Sequence, residues 1–284
     1  MLHSAQSIPF SLNCRGKILH LTQPIVMGIL NVTPDSFYDG GKFIEESGIL
    51  KRVEEMIQQG ATIIDIGGAS SRANSAIISE EDELLRTIKY INLIIKHFPT
   101  AILSIDTWRA GVAKEAIGAG ASIINDISGG DMDAKMFETV AALQSPYILM
   151  HMQGTPQTMQ INPIYSNVVT EVIGSLKLKM EKLRSMGVHD IIVDPGFGFG
   201  KTNEHNFRLL KNLNLFKILK APILVGVSRK SMINKTLHIK AQDALNGTTA
   251  LNMSALMNGA NILRVHDVKE AMETIQLYNN LQSS

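Results

Sequence analysis

The sequence predicts a single α/β domain spanning 1–284, a (β/α)8 TIM barrel with an N-terminal β-hairpin. Three observations lead there. Eight short runs rich in β-branched residues recur along the 284 residues, and each is apolar on both faces, as a buried parallel strand must be. Amphipathic stretches separate the runs, the alternation expected of repeated βα units. Polar side chains collect where the runs end, which in such a barrel is the carboxyl face that holds the active site. A doubly wound open sheet is the main competitor, because alternation does not prove closure. The count of eight and the lack of a dinucleotide fingerprint after the first run favour the barrel.

Taken in order, residues 9–22 alternate apolar and polar around Cys14-Arg15-Gly16-Lys17 and read as a hairpin plugging the barrel from below. The strand runs follow: VMGILN (26–31), TIIDIGG (62–68), ILSIDT (102–107), SIINDIS (122–128), YILMHM (147–152), IIVDPG (191–196), PILVGVS (222–228) and NILRVHD (261–267). Ser79-Glu80-Glu81-Asp82 resembles a capping box. It opens a helix through Phe98 with Leu84, Leu85, Ile88, Ile91 and Ile95 on its apolar stripe. A second helix runs from Val168 to Met186 and is stopped by Gly187. Phe207–Leu219 and Val268–Leu281 follow the same rule, and two helical pieces, 230–239 and 243–259, fill the space between the last two strands.

Composition narrows the function. With 27 Lys+Arg against 26 Asp+Glu the net charge is +1, so no broad basic face serves nucleic acid or anionic lipid. Hydrophobic residues at 45% and charged residues at 19% suit a large core. Cys14, the only cysteine, excludes an internal disulfide framework and a Cys-based zinc site. The first residues lack a basic segment followed by an apolar one, and no apolar run is long enough to span a bilayer. A soluble, cytoplasmic protein is expected.

The polar strand ends are Asn31, Asp106, Asn125, Asp126, His151, Asp194, Ser228, Arg264 and His266. Any one of them could merely cap a helix or bond a neighbouring loop, but capping alone does not explain the whole set. The stretch from Asn31 to Lys42 contains Pro34, Gly40 and Gly41, so it reads as a long loop over the mouth, a lid rather than a surface turn. Gly196-Phe-Gly-Phe-Gly-Lys-Thr resembles a phosphate loop. It has one residue too few before Gly200-Lys201-Thr202, and Lys201 stands where a dinucleotide loop needs glycine. A compact turn that lets Phe199 reach across the mouth is the better reading. Ser228-Arg229-Lys230-Ser231 leads into a helix, whose first N–H groups with Lys230 and Ser231 would suit an anion or carboxylate. Arg264 and His266, two residues apart, suit a phosphate or pyrophosphate; a salt bridge from Arg264 to a barrel carboxylate is the competing use. His151, between Met150 and Met152, reads as a satisfied core histidine. No histidines and carboxylate have zinc spacing, so a metal would be Mg2+ carried by a phosphate ligand.

These residues match a known family. GILNVTPDSFYDGG (28–41), IIDIGG followed by SSR (63–72), SIDT (104–107), NDISG (125–129), DPGFGFGK (194–201), SRKS (228–231) and RVHDV (264–268) resemble dihydropteroate synthase, motif after motif and in that family's order. The resemblance implies a (β/α)8 transferase of folate synthesis, a homodimer. It would condense (7,8-dihydropterin-6-yl)methyl diphosphate with 4-aminobenzoate, using Mg2+, and be inhibited by sulfonamides. It further implies a pterin site of Asp106, Asn125, Ile127, Met150, Asp194 and Lys230, and a diphosphate site of Asn31, Arg264 and His266, with Asn31 also near Mg2+. Phe37, Asp39, Ser71, Arg72, Phe199, Lys230 and Ser231 would face 4-aminobenzoate, and Asp106, Lys230, Asp39 and Arg72 would carry the catalysis.

Those residue types suit such chemistry. Carboxylates, an amide and a lysine can pair the adjacent donors and acceptors of a pterin ring in a buried slot. Mg2+, Arg264 and His266 would offset charge on the leaving diphosphate, and Asp106 would stabilise a cationic methylene. An arylamine is neutral at pH 7 and needs orientation more than a base, so a dissociative substitution is expected. The departure is Ala69-Ser70-Ser71-Arg72-Ala73, where the family usually reads Glu-Ser-Thr-Arg-Pro. Ala73 lacks proline's fixed φ, so the unbound loop has more freedom to lose, which bears on the aminobenzoate site and the sulfonamide response. Two rivals are a non-catalytic pterin-binding relative with an altered aminobenzoate loop and a corrinoid-linked methyltransferase on a similar barrel. The second should lack the pair Arg264 and His266.

Overall fold

The computed structural model describes residues 10–32, 41–69 and 78–283. The chain opens with an antiparallel hairpin, β1 (Phe10–Cys14) and β2 (Lys17–Leu21), turned by Arg15 and Gly16, both at positive φ. Eight strands then alternate with helices: β3 (Ile25–Asn31), α1 (Gly41–Gln58), β4 (Ile63–Gly67), α2 (Glu80–His97), β5 (Ile102–Asp106), α3 (Ala110–Ala119), β6 (Ile123–Asp126), α4 (Met136–Leu143), β7 (Tyr147–Met150) and α5 (Val168–Ser185). The series ends with β8 (Ile191–Asp194), α6 (Asn203–Lys211), β9 (Leu224–Val225), α7 (Ser231–Leu237), α8 (Leu245–Met257), β10 (Ile262–Val265) and α9 (Val268–Ser283). The parallel sheet runs β8-β7-β6-β5-β4-β3-β10-β9, and a bridge between Val193 and Ile223 joins its two ends into a barrel.

The hairpin is where the sequence places it. Leu12, Cys14 and Leu21 pack on a ring of inward residues from the strand starts: Met27, Ile63, Ile102, Ile123, Ile148, Ile192, Leu224 and Ile262. Burying each large aliphatic side chain there contributes roughly 1.5–3 kcal/mol, so this layer is a sealed floor and not a channel. Strand side chains alternate faces, so the next inward residues lie two positions on. In this second layer most strands turn polar, with Asp65, Ser104, Asn125, Asp194 and Arg264; Asp65 pairs in register with Ser104, and Asp106, one pleat higher on β5, pairs with Asn125. An apolar floor under a polar storey is what positions the site.

Several helices differ from expectation in physical detail. Ser79 caps α2 by accepting from the Asp82 amide, as the capping box predicts. The buried face of α2, however, is Glu83, Thr87, Tyr90, Ile91 and Ile94, while Leu85 is 67% exposed. Glu83 moves inward because Arg109 pairs with it. The helix expected over Phe207–Leu219 breaks at Asn212 into α6 and a 3-10 segment, Leu213–Leu219. Helix α1 starts at Gly41, inside the stretch assigned to the first loop.

Candidate active site

The polar storey is one connected network. Arg264, on β10, donates through Nε to Asp65 Oδ2 at 2.6 Å and through Nη2 to Asp106 Oδ2 at 2.6 Å. Asn125 Nδ2 reaches the same Asp65 oxygen at 3.0 Å. The salt bridge to a barrel carboxylate, one of two uses foreseen for Arg264, is thus present, and it involves two carboxylates. Nη1 keeps no partner among the described residues and remains available to a ligand. Asp65 Oδ1 and Ser104 Oγ are buried polar atoms without partners among the described residues.

Electrostatics follow from burial. Removal from water pushes the Asp106 carboxyl up to about 7; Arg264 opposes that rise and the neighbouring Asp65 adds to it. Burial opposes the charge of Arg264 as well, but Asp65 and Asp106 outweigh it and hold the guanidinium above its ordinary range. Asp194 is raised by burial, against Lys230 and the Gly196 amide that donates to it at 2.7 Å. Burial pulls Lys230 down to about 8, with Asp194 working the other way.

Lys230 donates to the carbonyl of Phe197 and stands 4.8 Å from the centroid of the Phe199 ring. The Cβ position of Gly226 lies 3.8 Å from both Lys230 Nζ and Arg264 Cβ, which places that strand end against both side chains. Ile127, Met150 and Phe199 share an apolar cluster with Met152, Met159, Trp108 and Met132 beside the polar network. Asn31 ends β3 exposed. Its Oδ1 and the Asp106 carboxyl lie 3.5 and 3.8 Å from the point over Gly67 that a Cβ would fill.

The structure therefore gathers Asp106, Asn125, Asp194, Lys230 and Arg264 at one end of the barrel, with Ile127, Met150 and Phe199 forming an apolar wall. The His266 amide bonds Ser228 Oγ at 3.2 Å, so the ends of β9 and β10 are tied together. Ser231 opens α7, a short helix with no side-chain cap. Phe37, Asp39, Ser71 and Arg72, with the loop departure at Ala73, lie outside the described residues. Two residues grouped with the site have other work. Asp126 accepts from the amides of Ser128 and Gly130 and from the Tyr147 hydroxyl, shaping the turn after β6. His151 is buried against Lys201. Sequence reasoning missed Asp65. The available signal was a carboxylate in the middle of a strand whose other side chains are apolar, where an unpaired charge is seldom buried.

A family model described as pterin binding enzyme matches residues 27–266. Dihydropteroate synthase of Haemophilus influenzae is 42% identical over 269 residues, covering 94% of this chain and 97% of the relative. A Yersinia pestis dihydropteroate synthase solved with a sulfonamide drug superposes with a TM-score of 0.90 at 40% identity, over 97% of this chain and 100% of that one. A Xanthomonas albilineans dihydropteroate synthase solved with 4-aminobenzoic acid gives 0.91 at 34% identity, over 98% and 100%. Motif order, barrel and chain-length similarity agree: the chain belongs to the dihydropteroate synthase family of pterin-binding enzymes.

Proposed function

We propose that the barrel mouth binds a dihydropterin diphosphate on Asp106, Asn125, Asp194 and Lys230 and transfers its pterinylmethyl group to 4-aminobenzoate. The C–O bond to diphosphate breaks with its electron pair leaving on oxygen. The arylamine nitrogen then attacks the methylene carbon and loses a proton, giving 7,8-dihydropteroate and diphosphate. The observation that carries this reading is the Asp65–Arg264–Asp106 chain. One arginine spans a carboxylate in the barrel interior and a second at the strand end, with a further N–H to spare. Asp106 would stabilise the cationic methylene, and that positive charge in turn would draw its carboxyl back to the ionised form. His266 and the spare Arg264 N–H would take the diphosphate.

The donors suit a magnesium ion arriving with the diphosphate. Asn31 offers one neutral oxygen beside the space over Gly67, and among the described residues no group of three His, Cys, Asp or Glu forms a dedicated cage. Bound there, Mg2+ would neutralise charge on the leaving group. Sulfonamides would compete with 4-aminobenzoate on the side lined by Phe199, Lys230 and Ser231.

A cytoplasmic homodimer fits this reading. Among the described residues no helix is long and apolar enough to cross a membrane. Met257 on α8 and Leu277 and Leu281 on α9 are exposed, which would suit contact with a second copy. The deciding experiment is diphosphate release from the pterin substrate with and without 4-aminobenzoate. Diphosphate release matched by an equal amount of dihydropteroate when both substrates are present supports the synthase. Pterin binding without release supports the non-catalytic relative.

A further inference from the structure

The glycine-rich turn after β8 ends in Lys201, and neither substrate site uses that residue. Its side chain is 3% exposed, so its ammonium cannot act as the phosphate ligand that the motif superficially suggests. Three acceptors meet it instead: Phe199 O at 2.9 Å, His151 Nδ1 at 3.0 Å and His151 O at 3.2 Å. Burial pulls Lys201 down to about 7, with Asp194 working the other way; in its ammonium form three N–H groups match the three acceptors. Accepting at Nδ1 requires a neutral imidazole protonated at Nε2, in keeping with burial and Lys201 holding His151 down to about 3.

The lysine lies in a seam between two loops. Gly196, at φ +71, is packed so closely on the His151 carbonyl that a Cβ would collide with it, and Gly200, at φ +63, sits likewise on the backbone of Gln153. The turn is held further by the Tyr165 hydroxyl on Gly200 O and by Gln160 Nε2 on Gly198 O, both at 2.8 Å. On its other side it presents the Phe197 carbonyl and the Phe199 ring to Lys230.

We propose that Lys201 is a positioning residue for the second substrate. By tying the carbonyls of Phe199 and His151 across the seam, it fixes the Phe199 ring and the Phe197 carbonyl, and through them the place of Lys230 when 4-aminobenzoate enters. The inference rests on the reading that Phe199 and Lys230 face 4-aminobenzoate. Asp106 and Asn125 are carried on strands away from the seam, whereas Asp194 accepts from the Gly196 amide and Lys230 also serves the pterin, so loss of the seam should weaken pterin binding less than aminobenzoate binding.

Lys201→Met keeps an unbranched apolar stem, one atom shorter, and removes all three donors. It should raise the KM for 4-aminobenzoate at least tenfold while calorimetric pterin affinity falls by a clearly smaller factor. Phe199→Ala should then add little in the Lys201→Met background, because its ring is already unmoored. An unchanged aminobenzoate KM, or an equal loss of pterin affinity, would overturn the assignment; a purely structural lysine would lower the active fraction and leave KM alone. Should Lys201→Met fail to fold, Tyr165→Phe loosens the same turn at Gly200 and must move the aminobenzoate KM in the same direction, or the proposal fails. Wild-type protein that makes no dihydropteroate would sink the functional reading itself, whereas active wild type with an unmoved KM in the variants would sink only the role of Lys201.

Discussion

Arg264 and Asp65, 199 positions apart in sequence, are joined by a 2.6 Å bond from Nε to Oδ2 inside the barrel. The same carboxylate oxygen accepts from Asn125 at 3.0 Å, so one buried acid links the arginine assigned to diphosphate with the amide assigned to the pterin. Asp65 also lies near enough to Asp106 to raise its pKa, while Arg264 lowers it. Asp65 is a brace between the two halves of the site.

Asp65→Asn keeps the shape of the brace and removes its charge. Asp106 would lose a like-charged neighbour and have the Arg264 guanidinium largely to itself, so its carboxyl should fall from about 7. If the ionised carboxylate is the working form, activity rises as pH passes upward through that pKa. The acid limb of kcat/KM for the pterin substrate should therefore move to lower pH in the variant. An acid limb that stays in place would disconnect Asp65 from Asp106.

Asp194→Ala should weaken pterin binding strongly rather than slow turnover. Asp194 is 5% exposed, and its loss leaves ring donors unpaired in a dry slot, a cost of about 1–3 kcal/mol or more for a group that met a charge. Calorimetry with the pterin alone measures this directly, and unchanged affinity would contradict the assignment.

His266→Ala and Arg264→Ala should differ in kind. The histidine variant should weaken the pterin diphosphate far more than the pterin alcohol. Arg264→Ala should do so too, but it also strips the counter-charge from the buried Asp65 and Asp106. Removing one partner of a buried pair costs about 3–5 kcal/mol, so its melting temperature should fall sharply, and further than that of His266→Ala. Equal losses for both ligands in His266→Ala would place that residue with the ring or the fold.

Most of the scaffold is legible because buried parallel strands write themselves as apolar runs, and their polar ends announce Asp106, Asn125, Asp194 and Arg264. Asp65 escaped because it stands one pleat below the strand end, and its function comes from Arg264 on a distant strand. Glu83 escaped for a similar reason: in the first turn of a helix an acid reads as a solvent-facing complement to the dipole, and only Arg109 explains its burial. Lys201 stands in a glycine-rich stretch that invites a phosphate-loop template, whereas its three acceptors are backbone and imidazole atoms that no spacing rule encodes. Helices α3 and α4 are short, and α3 is rich in alanine and glycine, which blurs their stripes.

Arg229 and Asp267 provide the last test. The guanidinium meets the carboxylate in a two-pronged pair, Nε to Oδ2 and Nη2 to Oδ1, both at 2.8 Å, while Nη1 bonds the carbonyls of Ala241 and Gln242 at 3.1 and 2.7 Å. Arg229 adopts φ 55, a left-handed conformation that costs a non-glycine residue of order 1 kcal/mol and persists only where its surroundings enforce it. That conformation sets Lys230, the next residue, and Asp267 follows His266, so the pair ties the β9 end of the site to the β10 end. Arg229→Ala and Asp267→Ala should each destabilise the protein and lower kcat. The double variant should lose less than the sum, with a coupling of roughly 0.5–3 kcal/mol in denaturant melts. Arg229→Lys should recover little, because an ammonium cannot reproduce the planar fork. Additive losses in the double variant, or full recovery with lysine, would show that each side chain acts alone and that the two strand ends are held by something else.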